Sequence, residues 1–345
     1  MPTPPPETVP PPPETGWTWE RYADDPLFGG AEITGLAAGP GGIVAIGRDR
    51  RDRPAVWTSR GGAEWMPLPQ PLGLGAMRTV IAVGSGYVAA GSGADDAPSR
   101  AVVWFSPDGA GWSEVPPQPS FRGAAINALA LAGPGLVAVG AEEQGDYGRA
   151  AVWTSPNGVT WARVPDDEVF DDGGMIDVTA GTQGLLALGF GFQGAILWFS
   201  RDGRTWSQVP DARAFEGSMV EAVEATPDGF IAVGWDDAGA AVWTSRDGIA
   251  WGRVAAGAAL EGAQMLNVTA TRSGLVALGY DLDGAAIWAS ADGSAWERLP
   301  ADPVFANGEM NSGVGTDSGL VVAGSVIDVD AGGEVRSAIW VGSLR

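Results

Sequence analysis

The 345-residue chain has no cysteine, no histidine and no lysine, so all 20 of its basic residues are arginine. Without cysteine there are no disulfides and no thiolate chemistry. Without histidine the usual general base near neutral pH is missing, and with it the commonest transition-metal ligand and every Ser-His or Cys-His dyad. Missing lysine removes Schiff-base catalysis and the lysine of phosphate-binding loops. No apolar run approaches the ~20 residues of a membrane span, and Met1 leads into PTPPPETVPPPPET, not into a charged and then apolar signal segment. Basic residues are outnumbered by 42 acidic ones, giving a net charge of −22. A polyanion would be repelled by such a surface, so nucleic acid is not an expected partner. No cofactor is expected, and no membrane contact by the folded part.

Glycine (53) and proline (26) are abundant in a chain that is 45% hydrophobic, which describes a packed protein with many tight turns and few long helices. Residues 1–15 are proline-rich and read as a semi-rigid linker that cannot join a sheet. The segment has the character of a stalk, so the expected location is extracellular or on the cell surface, with the protein tethered through it. Residues 16–345 are then the folded part, expected to be a monomer.

Internal repetition dominates those residues. Trp57, Trp104, Trp153, Trp198, Trp243, Trp288 and Trp340 recur at intervals of 45 to 52 residues, within strings such as AVWTSRDGIAW at 241. Six of them are followed eight residues later by a second tryptophan: Trp65, Trp112, Trp161, Trp206, Trp251 and Trp296. Nine residues further stands a large apolar side chain each time: Leu74, Phe121, Phe170, Phe215, Leu260 and Phe305. The seventh unit lacks this second half at its own end, but Trp19 precedes Phe28 by the same nine residues. The amino-terminal segment therefore supplies the last strand of the last unit. Such a period, with short strands and two ends that complete each other, predicts an all-β, seven-bladed β-propeller of four-stranded antiparallel blades. For the fifth unit the strands are expected at 219–226, 229–235, 240–245 and 250–255.

The turn between third and fourth strands reads Ser106-Pro-Asp108-Gly-Ala-Gly-Trp112, and likewise Ser200, Asp202, Trp206; Ser245, Asp247, Trp251; and Ser290, Asp292, Trp296. Asn157 and Gly61 replace the aspartate in the third and first copies. The motif resembles the Asp-box of the sialidase-like, or BNR-repeat, propellers, with one residue fewer between serine and tryptophan. Its expected role is structural: aspartate accepts from the following amides, glycine takes positive φ, serine ties the strand end, and tryptophan fills the space between sheets. The resemblance implies that these boxes lie opposite the functional face. It also implies, for the family's enzymes, an arginine triad, a Tyr-Glu pair and an aspartate at the axis. Among the inner-strand positions only Arg78 is basic, with Arg122 just before its strand, so no triad can be assembled and the chain is read as a non-catalytic member.

The face built from interblade segments and second-to-third-strand loops is rich in acids, among them Asp24, Asp25, Asp95, Asp96, Asp171, Asp172, Asp211 and Glu216, whereas the opposite turns carry Arg60, Arg201, Arg204, Arg246 and Arg272. An electrically polarised disc is expected. Second-to-third loops are short in units four, five and six, where the residue after the second-strand glycine is aromatic: Phe190, Trp235 and Tyr280, with Phe192 nearby. Together with Asp236, Asp237, Asp281 and Asp283 they form the candidate ligand patch, suited to a glycan or protein. Asp328, Asp330 and Glu334 have a spacing compatible with Ca²⁺ but complete no loop signature, so no metal is assigned. The primary expectation is a non-catalytic extracytoplasmic binding module. The alternatives are a carboxylate-based glycoside hydrolase or lyase using Asp177, Glu221 or Glu224, and a structural scaffold alone.

Overall fold

Each repeat folds into one four-stranded antiparallel sheet, and the seven sheets stand around a common axis, each first strand innermost and beside the first strand of the next blade. The structure, a computed structural model, describes residues 16–344 apart from 23–26, 29, 52, 69–71, 74, 94–99, 134, 143–147, 211, 256, 318 and 330–331. The proline-rich segment lies outside the described residues, as do Asp24, Asp25, Leu74, Asp95, Asp96, Asp211 and Asp330. Blades 1 to 6 span residues 32–67, 76–114, 124–163, 174–208, 219–253 and 264–298. Blade 7 takes residues 308–344 and adds the strand Trp17–Tyr22 as its outer member.

That last pairing closes the ring. Trp19 stands opposite Gly342 and Arg21 opposite Trp340, the relation that Arg298 has to Trp288 in blade 6. Trp19 packs edge-on against Phe305 at 5.2 Å. Across the seam between blades 7 and 1, the Ser337 hydroxyl accepts from the Ile33 amide and donates to the Ala31 carbonyl.

Every first strand carries a β-bulge at the same place, which leaves Thr34, Arg78, Asn127, Ile176, Glu221, Leu266 and Asn311 as extra residues near the loop end of the axis. A bulge bends and twists the strand, bringing its backbone onto the second strand. A Cβ at Gly234 would lie 1.9 Å from the Met219 carbonyl oxygen, and Gly47, Gly91, Gly140, Gly189, Gly279 and Gly324 face the same obstacle. The glycine repeated in each second strand is thus required by backbone approach, not by a turn.

The third-strand tryptophans are buried between blades. Six of them, from Trp104 to Trp340, donate Nε1–H to a carbonyl of the segment that enters their own blade, at 2.6–3.1 Å. Burial of 150–250 Å² per ring contributes roughly 4–6 kcal/mol gross, an upper bound because unfolded chains are already partly compact. The interblade apolar anchors Phe28, Phe121, Phe170, Phe215, Leu260 and Phe305 are buried, the last five at the ends of short 3-10 helices. In blade 2 the buried anchor beside Trp104 is Leu72.

Fourth strands are shorter than expected. In blade 5 the strand is Gly252–Arg253, two residues where 250–255 was predicted. The box turn uses the residues before it. In blades 2, 3, 4 and 6 a proline (Pro116, Pro165, Pro210, Pro300) follows just after and cannot donate to the ladder.

Candidate functional site

Two faces result. One carries the first-to-second-strand turns and the six boxes; the other carries the second-to-third-strand loops and the interblade segments, and is called the loop face below.

On the box face the serine hydroxyl oxygen accepts from the glycine amide at 2.8–2.9 Å in all six copies. Tryptophan Nε1–H donates to that glycine's carbonyl at 2.6–3.3 Å, for Trp112, Trp206, Trp251 and Trp296 as for Trp65 and Trp161. Asp108, Asp202 and Asp247 each accept from two following amides, and Asp292 from the Ser294 amide and hydroxyl. Those bonds hold all four carboxyls below the usual aspartate range. Asn157 supplies the same acceptor in blade 3, while the blade 1 turn keeps its serine, glycine and tryptophan bonds with Gly61 in the acid's place. Arg272 pairs with Asp317 on this face, and Arg201, Arg204 and Arg246 are neighbours in sequence of the box aspartates Asp202 and Asp247.

On the loop face Trp235 and Tyr280 are each tied to the first strand of their own blade. Trp235 Nε1–H donates to Glu221 Oε1 at 3.2 Å. The Tyr280 hydroxyl donates to Gln264 at 2.7 Å, and its pKa is raised by burial and by the charges of Glu309 and Glu221. Phe190 is half-buried near the end of its strand, opposite Gly174, and Phe192 is 82% exposed at the loop tip.

Two of the four candidate aspartates are held within their own blades. Asp236 pairs with Arg253, whose guanidinium lies 5.7 Å from the Trp243 ring centre. Burial raises the Asp236 pKa, but the Ala238 amide and Arg253 outweigh it and leave it below the ordinary value. Asp281 pairs in the same way with Arg298, which also reaches Asp283 at 3.9 Å. Blade 3 repeats the device with Arg163 over Trp153 at 4.9 Å and bonded to Glu142 and Asp166. This clamp was missed in the sequence, although it has a trace there: the arginine stands ten residues after the third-strand tryptophan in blades 3, 5 and 6. Only Asp237 of the candidate acids is exposed and without an arginine contact among the described residues. It lies in a cleft of about 1020 Å³ between blades 4 and 5, which Trp235, Asp236, Asp172, Gln193, Arg213, Glu216 and Met219 also line.

The axial carboxylates serve the ring. Asp177 accepts from its neighbour Val178 and, across the blade boundary, from the Val223 amide at 2.9 Å. Glu224 accepts from the Ala270 amide of blade 6. Desolvation raises both pKa values, that of Glu224 to about 7 with the Asp177 charge adding to it. Elsewhere, Arg78 bonds Asn127, and Arg336 bonds both Asp328 and Glu334, so the oxygens of the Ca²⁺-compatible stretch that are described are turned to an arginine. Among the described residues no three acids gather as a metal site.

No family model matches the chain, and no curated protein does. Solved structures do resemble it. YCF48 bound to D1 peptide superposes with a TM-score of 0.64 at 15% identity, over 95% of each chain. One of two prolyl endopeptidases gives 0.55 at 14% identity, covering 91% of this chain and 50% of that one. A putative 6-phosphogluconolactonase from Bacteroides uniformis gives 0.53 at 16% identity, over 77% and 83%. At these identities the likeness establishes the shared propeller fold.

Proposed function

We propose that this propeller is a non-catalytic binding module, displayed outside the cell, that recognises a glycan or protein ligand through the loop face of blades 4 to 6. The carrying observation is the cleft walled by Trp235, Phe215, Met219, Asp172 and Asp237, which combines apolar rings with carboxylates that have no arginine contact among the described residues. A protein ligand is further favoured by exposed apolar side chains on the same face: Phe192, Leu282 (94% exposed), Ile327, Val329 and Val335. A chain of the same fold is known bound to a peptide. The hydrolase reading requires two free carboxylates converging on one bond, whereas Asp177 and Glu224 are bonded into neighbouring blades and Glu221 to Trp235.

The test is Trp235→Ala on glycan and protein arrays. The variant keeps its near-ultraviolet circular dichroism and loses the array signal. Unchanged binding would overturn the site, and hydrolysis of aryl glycosides abolished by Glu221→Gln would replace the reading with the enzymatic one.

A further inference from the structure

The cleft opens where one blade departs from its neighbours. In blade 3 the guanidinium groups of Arg149 and Arg163 fill the loop end of the third and fourth strands, held by Glu142, Asp166 and Asp171. In blades 5 and 6 the same space receives Arg253 and Arg298. All of Arg163, Arg253 and Arg298 stand on the ladder directly across from the third-strand tryptophan; in blade 4 that position, opposite Trp198, is Gln208. Counted from the same tryptophans, Gly194 replaces Arg149 and Glu216 keeps the place of Asp171, and on the ladder Gly191, the partner of Gly194, replaces Glu142, the partner of Arg149. Blade 4 thus retains an acid of the clamp and lacks its cations. Gly194, Gln208 and Glu216 line the cleft of about 1020 Å³.

We infer that this cleft is the seat of an arginine side chain presented by a partner polypeptide. The inference rests on the loop face being the binding face, and it names the ligand class. Asp172, Glu216 and Asp237 outnumber Arg213, the one cation among the described lining residues, and Asp236 is already held by Arg253. The buried hydroxyl oxygen of Ser218, in the same wall, has no hydrogen-bond partner among the described residues, and Gln193 and Gln208 add amide oxygens. A planar guanidinium answers several acceptors at once, as Arg149 does with three acids in blade 3, whereas an ammonium is a compact point charge. Phe192 and Met219, both exposed at the edge of the cleft's strands, offer apolar contact to the residues flanking that arginine.

The probe is a fluorescein-labelled glycine-arginine-glycine-arginine-glycine peptide, with citrulline and lysine counterparts, read by fluorescence anisotropy on the whole chain. Saturable binding is expected. The citrulline peptide, and the double variant Glu216→Gln with Asp237→Asn, should each weaken it by about ten-fold or more, the loss that goes with one charge-assisted bond. Gln208→Arg, which restores the blade 5 clamp residue and fills the seat from within, should abolish binding without lowering the melting temperature. The inference falls if arginine and citrulline peptides bind alike, if no saturable binding occurs, or if Q208R binds as the parent does. Should Q208R fail to fold, the double variant decides, since both of its positions are exposed. If these fail while Trp235→Ala still abolishes an array signal, the binding face stands and only the arginine seat is lost. If both are silent, both readings fall.

Discussion

Glu224→Gln should make the protein less sensitive to pH and more stable above neutrality. Glu224 lies on the first strand of blade 5, where desolvation, with the charge of Asp177 beside it, pushes its pKa from 4.5 up to about 7. The unfolded chain releases this proton near pH 4.5, the folded chain only near 7. Between those values the folded state holds more protons, so stability is full below about 4.5 and falls as pH rises to about 7. At 1.36 kcal/mol per unit, the difference is on the order of 3 kcal/mol. A glutamine keeps an acceptor for the Ala270 amide and never ionises. The variant's guanidinium-chloride midpoint should therefore stay level from pH 5 to 8 while the parent's declines, and the two should separate by up to about 3 kcal/mol at pH 8. Asp177→Asn supplies a second reading of the same physics: removing the neighbouring charge lowers the Glu224 pKa, so the parent's decline moves to lower pH. Parallel profiles for parent and E224Q, or parent stability that rises through this window, would refute the assignment of Glu224 as a desolvated carboxyl.

Two further outcomes concern the scaffold. Asp202→Ala removes the acceptor of the Arg204 and Thr205 amides and should cost about 1–2 kcal/mol by denaturant titration. Its lowered pKa means that this stability is present above the unfolded value near 3.8 and is lost as pH falls through the folded one; Asp202→Asn, which copies Asn157, should keep the stability and flatten that acid limb. Gly234→Ala places a methyl group against the Met219 carbonyl and should cost about 3 kcal/mol or more, because neither backbone can retreat. A midpoint unchanged by G234A would mean that the bulge does not press the two strands together.

What could be read in the sequence was what the chain keeps at constant distance. From Trp243 to Trp251 the path is strand, box turn and strand of fixed length, so burial of both rings repeats at an interval of eight, and the offset of Trp19 from Phe28 survives even though the ring closes between them. The arginine clamps obey an equally strict rule that linear spacing hides. Asp236 and Arg253 are 17 residues apart, as are Asp281 and Arg298, but Glu142 and Arg163 are 21 apart because the loop between them is longer. The pairing is constant only in the ladder, where each arginine faces a tryptophan. A count of acids along the loops therefore assigns Asp236 and Asp281 to a ligand, when their charges are already answered inside the blade. The same reasoning runs in reverse for blade 4. Gln208 and Gly191 are unremarkable in the sequence, and they gain meaning only against three blades in which the same two positions hold an arginine and an acid. A site made by omission from a repeat becomes visible once the repeat's own contacts are known, and it is then the retained partner, Glu216, that marks where a cation is missing.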